Sequence, residues 1–264
     1  MAISFVNSGT AVVGITTISV PHPSPVTAGN ILIVAIGYKT VTTNPVTPTG
    51  WQRTTSFFGT KGTGIDGGDG VIIYFWKIAL GGETGNVTIV MTGGNSCVGR
   101  MFQYSKAALK DWQLPIVWYG RYETGATSWS VTAIGNTVIF NENTTSVNNQ
   151  NLLFAGDMMV AASGINSDNP TFSAQVMTAT GTTFGTAVER QDSGTTGGQD
   201  CRLVVSEHPV NTSTFNNQTM TYTMTASTSG TNFPAGATLM MVLREIDPVA
   251  TSYDPFGMMG FFGI

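Results

Sequence analysis

The run at 71–76, VIIYFW, is apolar at every position, so Val71, Ile73 and Phe75 face one side of an extended chain and Ile72, Tyr74 and Trp76 the other. A strand with two apolar faces predicts burial on both sides, ending at Lys77. The Gly and Asp residues of GGDG just before it predict a tight turn. Further strands follow from alternation at Ile3 and Phe5, at Val12 to Ile15, across 31–36 in AGNILIVAIG, and at 53–58. In NVTIVMT, 86–92, the residues Val87, Ile89 and Met91 mark a core face, and a strand over 98–104 closes the first half. Pro21, Pro23 and Pro25 interrupt the early strands because each lacks a donor and has a fixed φ.

A second, weaker copy of this order occupies the other half. The stretch GGQDCRLVVSEHP, 197–209, echoes GGDGVIIYFWKIA, 67–79, with Cys201 opposite Val71. Arg202 and Ser206 then replace Ile72 and Trp76, which predicts one apolar face and one face given to water or a partner. NNQNLLFAG, 148–156, is matched to 28–36, TMTYTMT, 219–225, to 86–92, and TLMMVLR, 238–244, to the strand ending near Tyr104. Four elements recurring in order predict an internal duplication. No window carries a persuasive helical period, so the expected fold is all-β: two tandem antiparallel β-sandwich, jelly-roll-like domains plus an apolar C-terminal arm. The expected boundaries are 1–110 for the first sandwich, 111–128 for an aromatic-rich linker, 129–247 for the second sandwich and 248–264 for the arm.

Composition sharpens this picture. Only 10% of the 264 residues are charged and 32 are Gly, which suits short strands and turns. The formal net charge of -4, with 11 Lys and Arg thinly spread, excludes a basic stripe for nucleic acid. No apolar run reaches the roughly 18 residues of a membrane span, and MAISFVNSG lacks a signal-peptide pattern, so folding in the cytoplasm is expected. Cys97 and Cys201 are therefore read as buried thiols in preference to a bridge.

Candidate chemistry is sparse. Asp66 and Asp69, with Asp192 and Asp200 in the second half, match no full calcium loop and are read as turn formers, so no metal or other cofactor is expected. His22 and His208 are far apart in sequence and adjoin prolines, which places both in loops or at edges. No nucleophile elbow, metalloprotease, P-loop or paired Cys motif occurs, and the 15 carboxylates offer no nameable acid and base pair, so no catalytic residue is assigned. The cluster Trp112, Trp118, Tyr119, Tyr122 and Trp129 has two readings: a wedge between the halves, or a platform on which sugar rings stack. In the tail, Phe256, Met258, Met259, Phe261, Phe262 and Ile264 are too apolar to stand in water and predict a partner contact.

These motifs resemble a family of β-sandwich virion structural proteins of tailed bacteriophages, of the capsid-decoration and tail-fibre type. The resemblance is carried by AGNILIVAI, the step at Pro48, Thr49, Gly50 and Trp51, YFWKIALGGETGNVTIVMT with Lys77 and Glu83, NNQNLLFAG and the late AGATLMMVLRE. It implies a non-enzymatic protein on the virion surface, assembled in the host cytoplasm. The implied partners are other virion proteins, major capsid or tail proteins, met through sandwich faces and the arm. It also implies a homo-oligomer, with a trimer as the expectation from the resemblance. The chain enters the first sandwich at once, without a fibre shaft, which favours decoration or cement over fibre. The alternative implied role is a receptor-binding module for host surface glycans, using Trp112, Trp118, Tyr119 and Tyr122. A depolymerase ranks last.

Overall fold

The computed structural model describes residues 3–39, 45–54, 57–58, 69–91, 96–113, 116–122, 128–133, 153–167, 171–195, 200–214, 220–226 and 236–248. Among them there is no helix, and every strand pairing is antiparallel. The first half contributes β1 (Ser4–Ser8), β2 (Val12–Gly14), β3 (Thr17–Pro21), β4 (Ile31–Lys39), β5 (Gln52–Arg53), β6 (Phe57–Phe58), β7 (Gly70–Ile78), β8 (Asn86–Val90) and β9 (Ser96–Ser105). Then follow β10 (Asp111–Trp112), β11 (Ile116–Tyr122), β12 (Ser128–Ala133), β13 (Met158–Ile165), β14 (Phe172–Ala179) and β15 (Thr182–Phe184). The chain continues through β16 (Val188–Gly194), β17 (Arg202–Ser213), β18 (Met220–Ala226), β19 (Gly236–Leu243) and β20 (Glu245–Ile246).

Four layers stack in the order that their side-chain alternation dictates. The first large sheet runs β1-β9-β4-β7-β5, and the second runs β11-β19-β13-β17 with β16 also on β17. Ile33, Ala35, Ile72, Tyr74 and Trp76 of the first pack directly against Val160, Ala162, Leu203, Val205, Leu239 and Met241 of the second. The opposite face of the first sheet, with Val34, Ile73 and Phe75, is covered by Ile18 and Val20 of β3 and Val87 and Ile89 of β8. The opposite face of the second, with Met159, Val204 and Met240, is covered by Phe172 and Met177 of β14 and Met220, Tyr222 and Met224 of β18. β17 makes that last layer continuous with its neighbour: Arg202 to Pro209 pairs with β13, and Val210 to Ser213 pairs with β15, so the sheet curls over like half a barrel.

The double burial expected for β7 is therefore present, and its second cover is the other half of the same chain, with Trp76 only 7% exposed. Trp76 requires no neighbouring subunit. Val87, Ile89 and Met91 are buried as the alternation predicts, and so are Met220, Tyr222 and Met224.

Two register expectations are corrected. The counterpart of AGNILIVAIG is AGDMMVAASG at 155–164, not NNQNLLFAG at 148–156. Gly29 and Gly156 both take positive φ, 81° and 96°, in matching turns. Gly29 N donates to Ala79 O and Gly156 N to Val210 O, both at 2.9 Å, while Ala79 N and Val210 N return bonds to Asn30 O and Asp157 O. Gly37 pairs with Ile72 where Gly164 pairs with Leu203, so Cys201 stands opposite Gly70 rather than Val71. A slip of one residue exchanges the faces of a strand. Cys201, Leu203 and Val205 thus line the central core, while Arg202, Val204, Ser206 and His208 form the other face. That face is not given to water: Arg202 is 7%, Ser206 0% and His208 1% exposed.

Candidate functional site

Among the described residues, three places combine shape with chemistry: the seam between the large sheets, a cleft where β17 bends, and a cleft beside Asp157 and Arg244. The seam is lined by buried apolar side chains at its centre. Tyr74 Oη lies there fully buried and donates to Val160 O at 2.9 Å, with Leu239 O at 3.4 Å. Burial pushes this phenol well above its ordinary range, and so does the neighbouring Tyr222. Polar groups ring the seam. Arg100 of β9 donates to Arg190 O and Gln191 Oε1, each at 2.8 Å, and also to Gly9 O and Ser8 Oγ. Arg190 pairs with the buried Glu207 at 2.7 Å and lies 3.8 Å over the ring of Phe5. Trp112, on β10, packs on the shared core and donates its indole N–H to Gly29 O at 2.9 Å, while β10 pairs with β20.

Trp118, Tyr119 and Tyr122 lie in β11, hydrogen-bonded along β19, so the stretch expected as a linker at 111–128 contains two strands of sheet. Their side chains, that of Trp129 and all of Phe256, Met258, Met259, Phe261, Phe262 and Ile264 lie outside the described residues. Asp66 does too. Asp192 accepts from Phe172 N at 2.9 Å and pairs with Arg202, and Asp200 accepts from Thr195 Oγ1. No group of three or more metal-ligating side chains occurs among the described residues. Cys97, on β9, and Cys201, immediately before β17, are free and buried. Burial pushes their thiols up to about 12 and about 11.

The motif of Trp51, Lys77 and Glu83 folds into one staple. Glu83 accepts from Leu80 N at 2.8 Å and Gly81 N at 2.9 Å, pairs with Lys77 at 2.9 Å, and Lys77 lies 5.7 Å over Trp51. Partial burial works against the Glu83 carboxylate, but the Leu80 amide and Lys77 outweigh it and hold the group at about 2.

His208 is where expectation fails most plainly. The Glu-His-Pro context suggests an edge, yet His208 lies in mid-strand on β17, opposite Met159 of β13. Its Nε2 and Tyr222 Oη meet the Ser206 hydroxyl at 2.9 and 3.1 Å. Burial holds the imidazole down at about 4, so it is neutral at pH 7. It forms part of the wall of a cleft of about 420 Å³ shared with Gln175 to Ala179, Thr182, Phe184, Gly185 and Ala187. A second cleft, of about 340 Å³, opens beside the buried pair Asp157–Arg244, where Arg244 also lies 4.2 Å over Phe154. The repeated A-G-N and A-G-D steps at 28–30 and 155–157 were the signal that would have placed Asp157 on this turn. These buried polar side chains pair with one another between the sheets.

No family model matches the chain, and neither a curated protein nor a solved structure does.

Proposed function

We propose that this protein is a non-enzymatic structural component of a tailed-phage particle, an accessory or decoration protein exposed on the capsid or tail. The observation that carries this reading is an exposed apolar end on a weakly charged body. Val46 N donates to Val90 O, Thr17 pairs with Val90, and Met91 N donates to Thr16 O, so Ile15, Val46 and Val90 meet at one end of the β3–β8 sheet. They are 64%, 60% and 43% exposed, a grouping that suits contact with another protein. The arm at 254–264 is the second proposed contact, and homo-oligomers the proposed form.

We also infer that the halves are a tandem duplication of one jelly-roll-like sandwich. The matching strand orders β1-β9-β4-β7 and β11-β19-β13-β17, and the matched turns at Gly29 and Gly156, support it. Fusion of the two units through a shared core gives a rigid body suited to standing on a particle surface.

The test is mass spectrometry of heads and tails separated from particles assembled with the wild-type chain or with Ile15→Glu and Val46→Glu together. The wild type is expected in stoichiometric amount in one fraction. Both substitutions are at exposed positions, so the variant should fold normally yet be depleted about tenfold, a loss of about 1.4 kcal/mol in docking. Absence of the wild type from both fractions overturns the particle reading, and undiminished variant overturns the contact.

A further inference from the structure

The cleft at the bend of β17 lies apart from the seam and from the apolar end, and its construction is unusual for a surface depression. β14 is irregular between Ser173 and Val176, and within that irregularity Ala174 holds a φ of 51°, a region that residues other than glycine rarely occupy. Bulges re-aim side chains, and strained backbone persists where the surroundings hold it in place. Here the irregularity turns Gln175 inward to 8% exposure, where its Nε2 donates to Glu189 Oε2. The rest of β14 forms one wall of the cleft, and β15 with the following Gly185 and Ala187 forms the other.

The chemistry of the lining is specific in kind. Every lining side chain is uncharged at pH 7, including His208, so a phosphorylated or carboxylated ligand finds no countercharge. Val176, 47% exposed, and the half-buried Phe184 line it with apolar side chains, and Met177, 4% exposed and packed on the core beneath, borders it. Thr178 and His208 supply hydrogen-bonding groups. His208 is 1% exposed, and its Nε2 is taken by Ser206, which leaves Nδ1 as the ring nitrogen for a ligand. An apolar wall with a few fixed polar groups, in a volume near the lower end of the usual range for small-ligand sites, matches a ligand with one apolar face and a rim of hydroxyls.

We propose that this cleft binds a single neutral pyranose residue, with the C–H face of the sugar on Phe184 and Met177 and its hydroxyls on Thr178 and His208 Nδ1. This goes beyond the particle role and does not rest on it: a sugar site of this kind would serve on a free protein as well as on a particle.

The experiment is a titration of protein carrying carbon-13 methyl-labelled methionine with glucose, galactose and N-acetylglucosamine, each to about 50 mM, where millimolar affinity corresponds to about −4 kcal/mol. The Met177 methyl should shift saturably with at least one sugar, while Met101, buried under the β3–β8 layer, stays fixed. Thr178→Trp, at an exposed position on the wall, should fill the cleft and abolish the shift without changing the fold. His208→Asn should weaken binding about tenfold if it folds. A Met177 signal that fails to saturate with all three sugars, or a shift that survives Thr178→Trp, overturns the proposal.

Discussion

Gly37 and Gly164 meet where β4 and β13 cross: a Cβ built on Gly37 would stand 3.2 Å from the Gly164 Cα and 2.8 Å from Arg202 O. The converse is tighter, since a Cβ on Gly164 would lie 1.9 Å from Val71 O. The two large sheets thus approach to backbone contact at a point occupied by equivalent glycines, and the shared core closes around it.

Gly164→Ala is therefore expected to force the sheets apart. Overpacking against backbone costs about 3 kcal/mol, which for a chain of this size lowers Tm by about 6–12 °C. Gly29→Ala is the comparison, because open space surrounds its Cβ and only its φ of 81° is strained; it should cost about 1 kcal/mol. Differential scanning calorimetry of both variants checks this, and equal losses would mean that backbone approach is not what Gly164 serves.

Asp157 should be among the most sensitive polar positions. It is 2% exposed, accepts from Arg244 Nε at 2.8 Å and Nη2 at 2.6 Å, and also caps Phe154 N. Asp157→Ala leaves the Arg244 guanidinium buried without its carboxylate, a loss of about 3–5 kcal/mol. Urea unfolding should show a lower midpoint at unchanged slope.

His208 should make stability depend on mild acid. Its folded value of about 4 lies below the ordinary 6.5, so the unfolded chain takes up the proton first. Stability is full above about pH 6.5 and declines as pH falls towards 4, by about 3 kcal/mol from this group alone. Urea midpoints at pH 7, 5.5 and 4 measure the slope, and His208→Gln should flatten it. An identical slope in the variant would assign the effect to other groups.

Glu83 acts in a lower window. With its folded value near 2 against an ordinary 4.5, its contribution is complete above about pH 4.5 and disappears as pH falls to 2. Glu83→Gln removes the ion pair to Lys77 and weakens the bonds from Leu80 N and Gly81 N, costing about 1 kcal/mol at neutral pH after solvent screening. The Tm difference between wild type and variant should close between pH 4.5 and 2; a gap that persists at pH 2 would rule out the carboxylate charge as its source.

The strands of the first half could be read along the chain because each announces itself locally. VIIYFW is apolar on both faces, NVTIVMT alternates, and the Lys77 to Glu83 stretch bends at glycines suited to its turns. The second half was legible in kind but not in register, since VVSEHP carries too few apolar residues to show which face is inward. The turn at Gly156 sets that register through bonds to Val210, and the result turns Arg202, Ser206 and His208 into a buried polar face.

By itself, then, the sequence determined an all-β chain and the double burial of β7, because alternation and turn residues are local properties of neighbouring positions. Only the tertiary structure decided that the two halves share one core through Gly37 and Gly164, that Trp112 anchors to Gly29, and that His208 faces a cleft. Those depend on which surfaces come together between separate segments of the chain. An apolar face is equally satisfied by any apolar cover, so pattern alone names the need for a partner and leaves its identity to packing.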